Sequence, residues 1–428
     1  MSLLSIKNAI GTILSLKTNG DGTASQPIIS PIHAYGNIAG VLRAAETRNL
    51  GGHTQWKRRD DVFFDTETIG TGAAVYENAN GGVKMSVSAN LDCVIRQSKR
   101  SHQYFAGNVQ TFDNTFINLT PVTNVIKRVG LFSSSTTTPF SANLDGFCLE
   151  TDDTAIYAKV YKDGATIFSA AQSGWDDPLD GTGRSGITLA PANFNAAICE
   201  FLYLGGTAAR FGFIIGGSPV WVHTFENANV NASTFVLSPN QPLRWEIRST
   251  GGTADLYHVC GRVGSIGTTN ISPSETHYKF NNGDFINANT VNLTYALHGV
   301  KLNTRHAVVR FHAFKARALT ADDFVIKIIK NPTIAGTAPT FNAATGLSYS
   351  TAIADTVGNP SVNTVTGGDL IYQEEFSSTS ESVSLQVDNI LMLLGQSIAG
   401  VFDEYWLCVE PLGANLDIRA EIDIDELV

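Results

Sequence analysis

Three aspartates lie close together in residues 175–181, where Asp176, Asp177 and Asp180 precede a turn at Gly181. Clustered carboxylate oxygens are the ligands that calcium prefers in proteins. An EF-hand loop that began at Asp176 would need a carboxylate at its twelfth position, and Ile187 stands there, so the EF-hand is excluded. An irregular calcium loop stays open, beside the alternative that these side chains accept hydrogen bonds from the loop's own amides.

The glycines that follow match the dinucleotide-binding pattern GxGxxG at Gly181, Gly183 and Gly186. That pattern holds a pyrophosphate only where a strand leads in and the N-terminus of a helix follows. Residues 187–191 instead have the pattern of a strand or turn that ends at Pro191. We therefore expect no nucleotide at this loop.

No arrangement typical of a catalytic centre is evident in the rest of the chain. The nucleophile motif GxSxG is absent, and the acidic residues that could pair for hydrolysis lie in no recognisable motif. The histidines show neither HxH nor HxxxH spacing; they include His102, His223, His258, His298, His306 and His312. We predict no catalytic, cofactor-binding or metal-binding residues, no cofactor and no enzymatic activity.

The cysteines argue against a zinc site and against a disulfide framework. The five are widely spaced and contain no CxxC; they are Cys93, Cys148, Cys199, Cys260 and Cys408. Zinc knuckles and redox pairs need thiols close together in sequence. We expect small buried hydrophobic side chains in a chain that is made in a reducing cytoplasm.

The charge of the chain limits which partners it can bind. The 428 residues carry a formal net charge of −10, and 16% of them are charged. Proteins that bind nucleic acid normally carry a basic excess, so we expect no nucleic acid partner. No apolar run approaches the ~20 residues of a membrane helix, so we expect no membrane span. The small basic groups at residues 56–59 and 96–100 are interpreted as solvated or interface loops.

A surface whose polarity comes mainly from uncharged Ser, Thr, Asn and Gly repels itself weakly. Such a surface suits a subunit that packs against copies of itself or against other proteins. Exposed aromatic rings would instead indicate sugar binding. Trp175, Tyr203 and Trp221 are the candidates for such rings, with burial in the core as the alternative.

The elements that must position these residues are almost all β-strands. In residues 243–248, Leu243, Trp245 and Ile247 alternate with charged residues, as in a strand with one buried face. Asp163-Gly164 and Gly216-Gly217 each separate two alternating runs, which predicts two hairpins. Short strands recur about every ten residues with no helix between them, which predicts an all-β, antiparallel sandwich of jelly-roll type.

Composition divides the chain into four parts. Residues 1–55 are predicted to form an extended N-terminal attachment arm, in which 1–16 have the apolar spacing of a short amphipathic helix. Residues 56–263 are predicted to form the jelly-roll sandwich, 264–276 a linker and 277–428 a second, smaller sandwich. Within the last part, 315–323 are interpreted as a short helix or turn, and 416–425 alternate as a regular strand.

Several segments, taken in order, resemble a family of tailed-bacteriophage virion proteins that is abundant among phages of aquatic bacteria. The matching segments lie at residues 63–68 (FFDTET), 94–99 (VIRQSK), 126–132 (IKRVGLF), 172–189 (QSGWDDPLDGTGRSGITL), 204–213 (LGGTAARFGF), 223–229 (HTFENAN) and 240–247 (NQPLRWEI). The resemblance covers about residues 60–300, with looser matches at 297–300 and 365–368. The ordered series is specific, whereas any one segment alone would not be.

The resemblance implies a structural component of the virion with a jelly-roll or concanavalin-like sandwich and with no catalytic motif to carry over. Capsid decoration, neck, tail or fibre all remain open as its place in the particle. Residues 1–55 match nothing in the family, as expected of an arm that binds other virion proteins. A homo-oligomer is expected, and by analogy a trimer. A carbohydrate-binding module for host adsorption is the alternative function, and a polysaccharide-degrading enzyme is a third.

Overall fold

The computed structural model is built almost entirely from antiparallel strands. It describes residues 5–7, 13–15, 47–55, 57–137, 140, 143–202, 206–266, 275–281, 286–288, 290–320, 322–336, 339–343, 348–353, 363–377, 382–386, 394–413 and 416–427. One 3-10 turn, Gln172–Gly174, is the only helical element in these ranges. No helix among them is long and apolar enough to cross a bilayer.

The first part of the chain contributes seventeen strands. They are β1 (Ser5–Lys7), β2 (Ile13–Ser15), β3 (Thr47–Thr54), β4 (Phe64–Ile69), β5 (Ala73–Glu77), β6 (Gly82–Val87), β7 (Cys93–Ser98), β8 (Val109–Ile117), β9 (Val125–Ser133), β10 (Asp145–Thr151), β11 (Ile156–Lys162), β12 (Ala165–Ala171), β13 (Phe194–Leu202), β14 (Ala208–Ile215), β15 (Ser218–Glu226), β16 (Leu243–Ser249) and β17 (Ala254–Ile266).

The remaining strands follow from residue 275. They are β18 (Glu275–Asn281), β19 (Ile286–Ala288), β20 (Tyr295–Leu302), β21 (Val308–Ala318), β22 (Phe324–Lys330), β23 (Thr333–Ile334), β24 (Asn342–Ala343), β25 (Tyr349–Ile353), β26 (Val365–Thr366), β27 (Asp369–Phe376), β28 (Ser382–Gln386), β29 (Glu404–Pro411) and β30 (Leu416–Leu427).

The first sandwich consists of two sheets. One has seven strands in the order β12-β11-β10-β9-β16-β7-β4, and the other has the order β15-β14-β13-β8-β17-β6-β5, with β3 also paired to β17. Leu243, Trp245 and Ile247 of β16 point into the core between the sheets, as the alternation predicts. The prediction of an antiparallel sandwich of jelly-roll type is confirmed.

Both predicted hairpins are present. β11 pairs with β12 and β14 with β15. Asp163 and Gly164 have φ of 48° and 82°, and Gly216 and Gly217 have φ of 60° and 80°. Tight two-residue turns need these positive values, which Gly and Asp adopt at little cost.

The second sandwich packs two further sheets around its own core. One sheet has the order β18-β30-β21-β28, with β19 also paired to β30, and the other has the order β24-β25-β20-β29-β22-β27. Alternate residues of β30 are buried in this core, among them Leu416, Ile418 and Ile422. The regular alternation at 416–425 is therefore confirmed as a strand whose apolar face packs in this core, although Asp423 and Asp425 on its other face are also buried.

Three local predictions are wrong. Residues 315–318 continue strand β21, because Phe314, Ala316 and Ala318 alternate into the core. The predicted helix at 1–16 contains a two-stranded pairing of β1 with β2, and Gly11 and the β-branched residues in this segment disfavour a helix. Residues 47–54, within the predicted arm, form β3 on the first sandwich.

The interpretation of residues 96–100 as a solvated or interface loop is wrong for residues 96–98, which lie in β7. Arg96 lies in β7 and is fully buried. Its guanidinium donates to the ring of His258 across 3.2 Å and to the carbonyl of Asp60 across 2.8 Å. Burial lowers the pKa of Arg96 to about 10, so the basic group is an internal anchor of the sandwich.

Candidate functional sites

The aspartate loop uses its carboxylates to hold its own backbone. Asp177 is fully buried and accepts a hydrogen bond from the amide of Ser185 across 2.9 Å. Asp180 accepts from the amide and the hydroxyl of Thr182 at 2.8 and 2.6 Å, and these bonds lower its pKa. Among the described residues, no group of three His, Cys, Asp or Glu side chains is placed to hold a metal. These bonds fit the alternative in which the carboxylates accept from the loop's own amides.

The same loop packs against the edge strand β15. The carboxylate of Asp176 lies 3.4 Å from Nδ1 of His223 and accepts from the amide of Thr224 across 3.2 Å. The guanidinium of Arg184 donates to the carbonyl of Trp221 across 3.0 Å. Burial lowers the pKa of His223, and Asp176 opposes this shift. The loop therefore covers an edge that could otherwise pair with another chain.

The tryptophans proposed as sugar platforms are both buried. Trp175 is 4% exposed and donates to the carbonyl of Ala170 across 2.9 Å. Trp221 is 7% exposed, and the guanidinium of Arg210 lies 3.8 Å from the centre of its ring. The third candidate, Tyr203, lies outside the described residues. Neither tryptophan presents a free ring face of the kind that stacks on a sugar.

An open cavity of about 340 Å³ lies on the outer face of the eight-stranded sheet. Its polar lining comes from Asp113 and Thr115 on β8 and from Cys260 and Arg262 on β17. Arg262 is ion-paired to Asp113, with 2.8 Å from Nε to Oδ2. Small or apolar residues complete it: Gly52, Ala196, Ile214 and Gly261. The cavity could accommodate a small polar ligand with one apolar face.

Sequence reasoning missed this cavity because its parts are far apart in the chain. Asp113 and Arg262 stand opposite each other only through the pairing of β8 with β17, which also aligns Thr115 with Cys260. The alternation of polar residues in each strand was a signal for an outward face. It carried no information about which strand would lie beside which.

A second cluster occupies the outer face of the seven-stranded sheet. Glu150, Arg128 and Glu246 are cross-strand partners on β10, β9 and β16, and with Arg244 they form what we call the charged row. Arg128 donates to Glu150 and, across 2.7 Å, to Glu246; Arg244 donates to Glu246 across 2.7 Å. All four residues are at most 6% exposed, and Phe140 lies over Arg128.

The electrostatics of the charged row follow from this arrangement. Burial alone would raise the pKa of Glu150, but Arg128 and Lys159 outweigh burial and hold that pKa below its usual value. Glycoside hydrolysis needs a protonated and an ionised carboxyl group that both face substrate. Glu150 and Glu246 are instead bound to Arg128 beneath Phe140. The row is arranged for rigidity.

The two sandwiches are joined at this same face by residues 394–403, which we call the docking segment. The amide of Gln396 donates to the carbonyl of Lys99 across 2.7 Å. The amide of Ile398 donates to Oδ2 of Asp65 across 2.7 Å. The side chain of Ile398 is 1% exposed and belongs to an apolar cluster with Ile95 and Phe140.

Two further contacts come from the loop between β20 and β21. Arg305 donates to the carbonyl of Ser134 across 3.0 Å, and Nδ1 of His306 lies 3.4 Å from the hydroxyl of Ser101. Burial and the nearby Arg305 lower the pKa of His306 to about 3. The joint between the sandwiches therefore combines apolar packing, main-chain hydrogen bonds and a half-buried histidine with a lowered pKa.

The cysteines lie within these sheets rather than at a common site. Cys93, Cys148, Cys199 and Cys408 are buried, and Cys260 is partly exposed in the outer cavity. Burial raises the pKa of the Cys93 thiol to about 12 and raises that of Cys148 further. Thiols in this state are poor nucleophiles.

Comparisons with known proteins give only distant structural likenesses. No protein-family model and no curated protein matches the chain. Among solved structures, a β-glucanase of Bacillus licheniformis is 10% identical with a TM-score of 0.32, over 51% of this chain and 98% of that chain. The Emp47p carbohydrate recognition domain is 9% identical with a TM-score of 0.32, and the match covers 52% of this chain and 95% of that domain.

A carbohydrate esterase of the Shiga toxin-encoding bacteriophage phi24B is 11% identical with a TM-score of 0.31. That match covers 52% of this chain and 100% of the other. Each likeness thus extends over about half of the present chain and concerns the path of its strands.

Proposed function

We propose that this protein is a structural component of a tailed-phage virion and that it acts by protein–protein assembly. The observation that carries the proposal is the covered outer face of the seven-stranded sheet. A turnover site on that face would have to stay open to substrate. Instead the charged row fills it, and Phe140 and the docking segment lie over it.

The resemblance of the ordered segments between residues 60 and 300 to virion proteins supports the same proposal. In this proposal the chain is made in the cytoplasm of the bacterial host and functions in the virion, as a capsid decoration, neck, tail or fibre protein. It would bind other virion proteins through residues 1–55 and occur as a homo-oligomer. A body of two joined sandwiches suits such a subunit because it keeps its shape under load.

The test is to purify particles through a density gradient and to quantify this protein in the particle fraction by mass spectrometry. We expect it to follow the major capsid protein at a fixed ratio of several copies per particle. Electron microscopy of the same particles would then assign its density and its symmetry. Recovery only in the soluble fraction of the lysed host would refute the proposal.

A carbohydrate-binding role in host adsorption is the second candidate function, and the open cavity on the outer face of the eight-stranded sheet favours it. Arg262 and Asp113 would supply donors and acceptors for hydroxyl groups beside the apolar Ile214. A glycan array with the intact protein tests this role, with Arg262→Ala as the site variant and the exposed Arg58→Ala as its control. Binding that falls at least about tenfold only in the first variant would support it. No binding at millimolar sugar would end it.

A further inference from the structure

The sheet edges of the two sandwiches differ in how they are covered. The aspartate loop packs on β15, and the amide of Ile398 is bonded to Asp65 on β4. β5 has five residues, of which Val75 is the one large apolar side chain that is well exposed. An uncovered edge strand is a template for pairing with another chain, so the least protected edge is where an added strand is expected.

β27, the last strand of the six-stranded sheet, is one poorly protected edge. It pairs with β22 on one side, and on its other side no described strand pairs with it. Six of its eight residues are exposed, including Leu370 at 55% and Ile371 at 37%. The strand contains no proline and no lysine, residues that commonly protect an edge.

The negative charge of β27 determines which kind of strand can pair with it. Asp369, Glu374 and Glu375 make it acidic, and it has no basic residue. Two copies of β27 that paired with each other would bring six carboxylates together along one ladder, which is unfavourable. The strand that fits this edge is therefore apolar and basic.

The chain itself contains such a segment. Residues 1–17 are rich in Leu and Ile, carry Lys7 and Lys17, and have no acidic residue. This segment is therefore basic, although the formal net charge of the whole chain is −10. Within them β1 pairs with β2 in a two-stranded sheet that no other described strand extends. A two-stranded hairpin alone is marginally stable in water and gains stability when it joins a larger sheet.

We propose that the β1–β2 hairpin of one copy adds to the β27 edge of a neighbouring copy and so extends its six-stranded sheet. This inference rests on the proposed assembly function and names the surface that receives the arm. The contact joins the hairpin of one copy to the β27 edge of the next. Because each copy carries both surfaces, the same contact can form again between every pair of neighbouring copies. A ring of such contacts closes a cyclic oligomer, and a trimer is one such ring.

The test uses the full-length protein in sedimentation analysis at about 100 μM, where a micromolar contact is almost fully formed. We expect the unaltered chain to be oligomeric and the oligomer to weaken with salt. The N-terminal variant Lys7→Glu with Lys17→Glu and the edge variant Asp369→Lys with Glu375→Lys should each raise the dissociation constant about tenfold or more. Circular dichroism and thermal unfolding would show that each variant is folded.

The decisive variant combines all four substitutions, because it restores opposite charges on the hairpin and on the edge. We expect its dissociation constant to return to within about threefold of the unaltered value. Glu77→Lys with Glu226→Lys, which reverses charges at the ends of the edge strands β5 and β15, is the matched control and should leave association unchanged.

Three results would overturn this inference: a monomeric unaltered chain at about 100 μM, an edge variant that associates as before, or a folded combined variant that does not recover. None of these would remove the protein from purified particles. The virion proposal is thus judged separately, by the particle fraction.

Discussion

The main-chain amide of Ile398 donates a hydrogen bond of 2.7 Å to the side chain of Asp65, which belongs to the edge strand β4 of the first sandwich. The side chain of the same isoleucine is almost completely buried against Ile95 and Phe140. One residue of the docking segment thus supplies both a polar and an apolar contact to the joint. It acts beside the contacts that Gln396 and Arg305 make across the same joint.

Replacing Ile398 by Ala should destabilise this joint. Loss of a buried isoleucine leaves a cavity and costs about 2–4 kcal/mol. Differential scanning calorimetry should then resolve two unfolding transitions where the unaltered protein shows one. Val401→Ala is the control in the same segment, because Val401 is 69% exposed and should change stability by less than about 0.5 kcal/mol. An unchanged single transition for Ile398→Ala would contradict this account of the joint.

Replacing Arg128 by Met should be among the most damaging single changes. It leaves the carboxylates of Glu150 and Glu246 buried without their shared cation, which costs about 3–5 kcal/mol. Urea unfolding at pH 7 measures this loss. Adding Glu150→Gln and Glu246→Gln should recover part of it, and equal stability of the single and triple variants would argue against the bridging role.

Acid should weaken the unaltered protein more than it weakens Arg128→Met. The pKa of Glu150 is held below its usual value in the folded protein, so its stabilising contribution is present above about pH 4.5 and is lost as pH falls towards the folded value. Without Arg128, only Lys159 opposes the effect of burial on that pKa, so the pKa is higher in the variant and the variant loses less stability on protonation. The stability difference between the two proteins should narrow between pH 7 and pH 4 in urea titrations.

Protonation of two histidines with lowered pKa values, the buried His298 and the half-buried His306, should weaken the protein at mildly acidic pH. Burial lowers the pKa of His306 to about 3 and that of His298 to about 4. A depressed histidine pKa gives stability that is complete above about pH 6.5 and is lost as pH falls, at up to about 1.4 kcal/mol per pH unit for each residue. His306→Asn, whose side chain tolerates the φ of 67° at this position, should lose about 2 kcal/mol less than the unaltered protein between pH 7 and pH 5. Parallel pH profiles of the two proteins would be incompatible with a neutral His306.

Glycine is required beside the buried Trp406. A Cβ at Gly299 would lie 2.5 Å from Cζ2 of that ring, so Gly299→Ala forces the indole to move. We expect a loss of about 1–3 kcal/mol and a changed near-ultraviolet circular dichroism spectrum. Gly174→Ala provides the comparison, since no atom lies within 4 Å of a Cβ there. Indistinguishable unfolding of the two variants would show that the Trp406 site can relax.

Local chemistry explains which elements could be predicted. The hairpin turns at Asp163-Gly164 and Gly216-Gly217 are specified by the two residues that form them. The short helix or turn predicted at 315–323 is wrong for residues 315–318, because the burial of Phe314 and Ala316 draws this part into β21. Tertiary packing overrides local preference in such segments.

The outward-facing residues of β16 show what the local sequence pattern cannot predict. Their alternation with Leu243, Trp245 and Ile247 correctly indicated that they face away from the core. It also suggested exposure to water, yet Arg244 and Glu246 are at most 1% exposed. Alternation tells which face of a strand is apolar, but the cover over the other face comes from residues that are distant in the chain.

From the amino-acid order alone, the all-β class, the hairpins and the buried faces of β16 and β30 could be deduced, because turns and alternation act over a few residues. Tertiary structure decided that Arg128 would stand between Glu150 and Glu246, that Asp113 would meet Arg262, and that no described strand would pair with the second side of β27. These outcomes depend on the order of strands in a sheet and on which sandwich covers which face. Contacts between residues far apart in the chain, 118 positions for Arg128 and Glu246 and 149 for Asp113 and Arg262, help to set that order, so it cannot be deduced from any short segment.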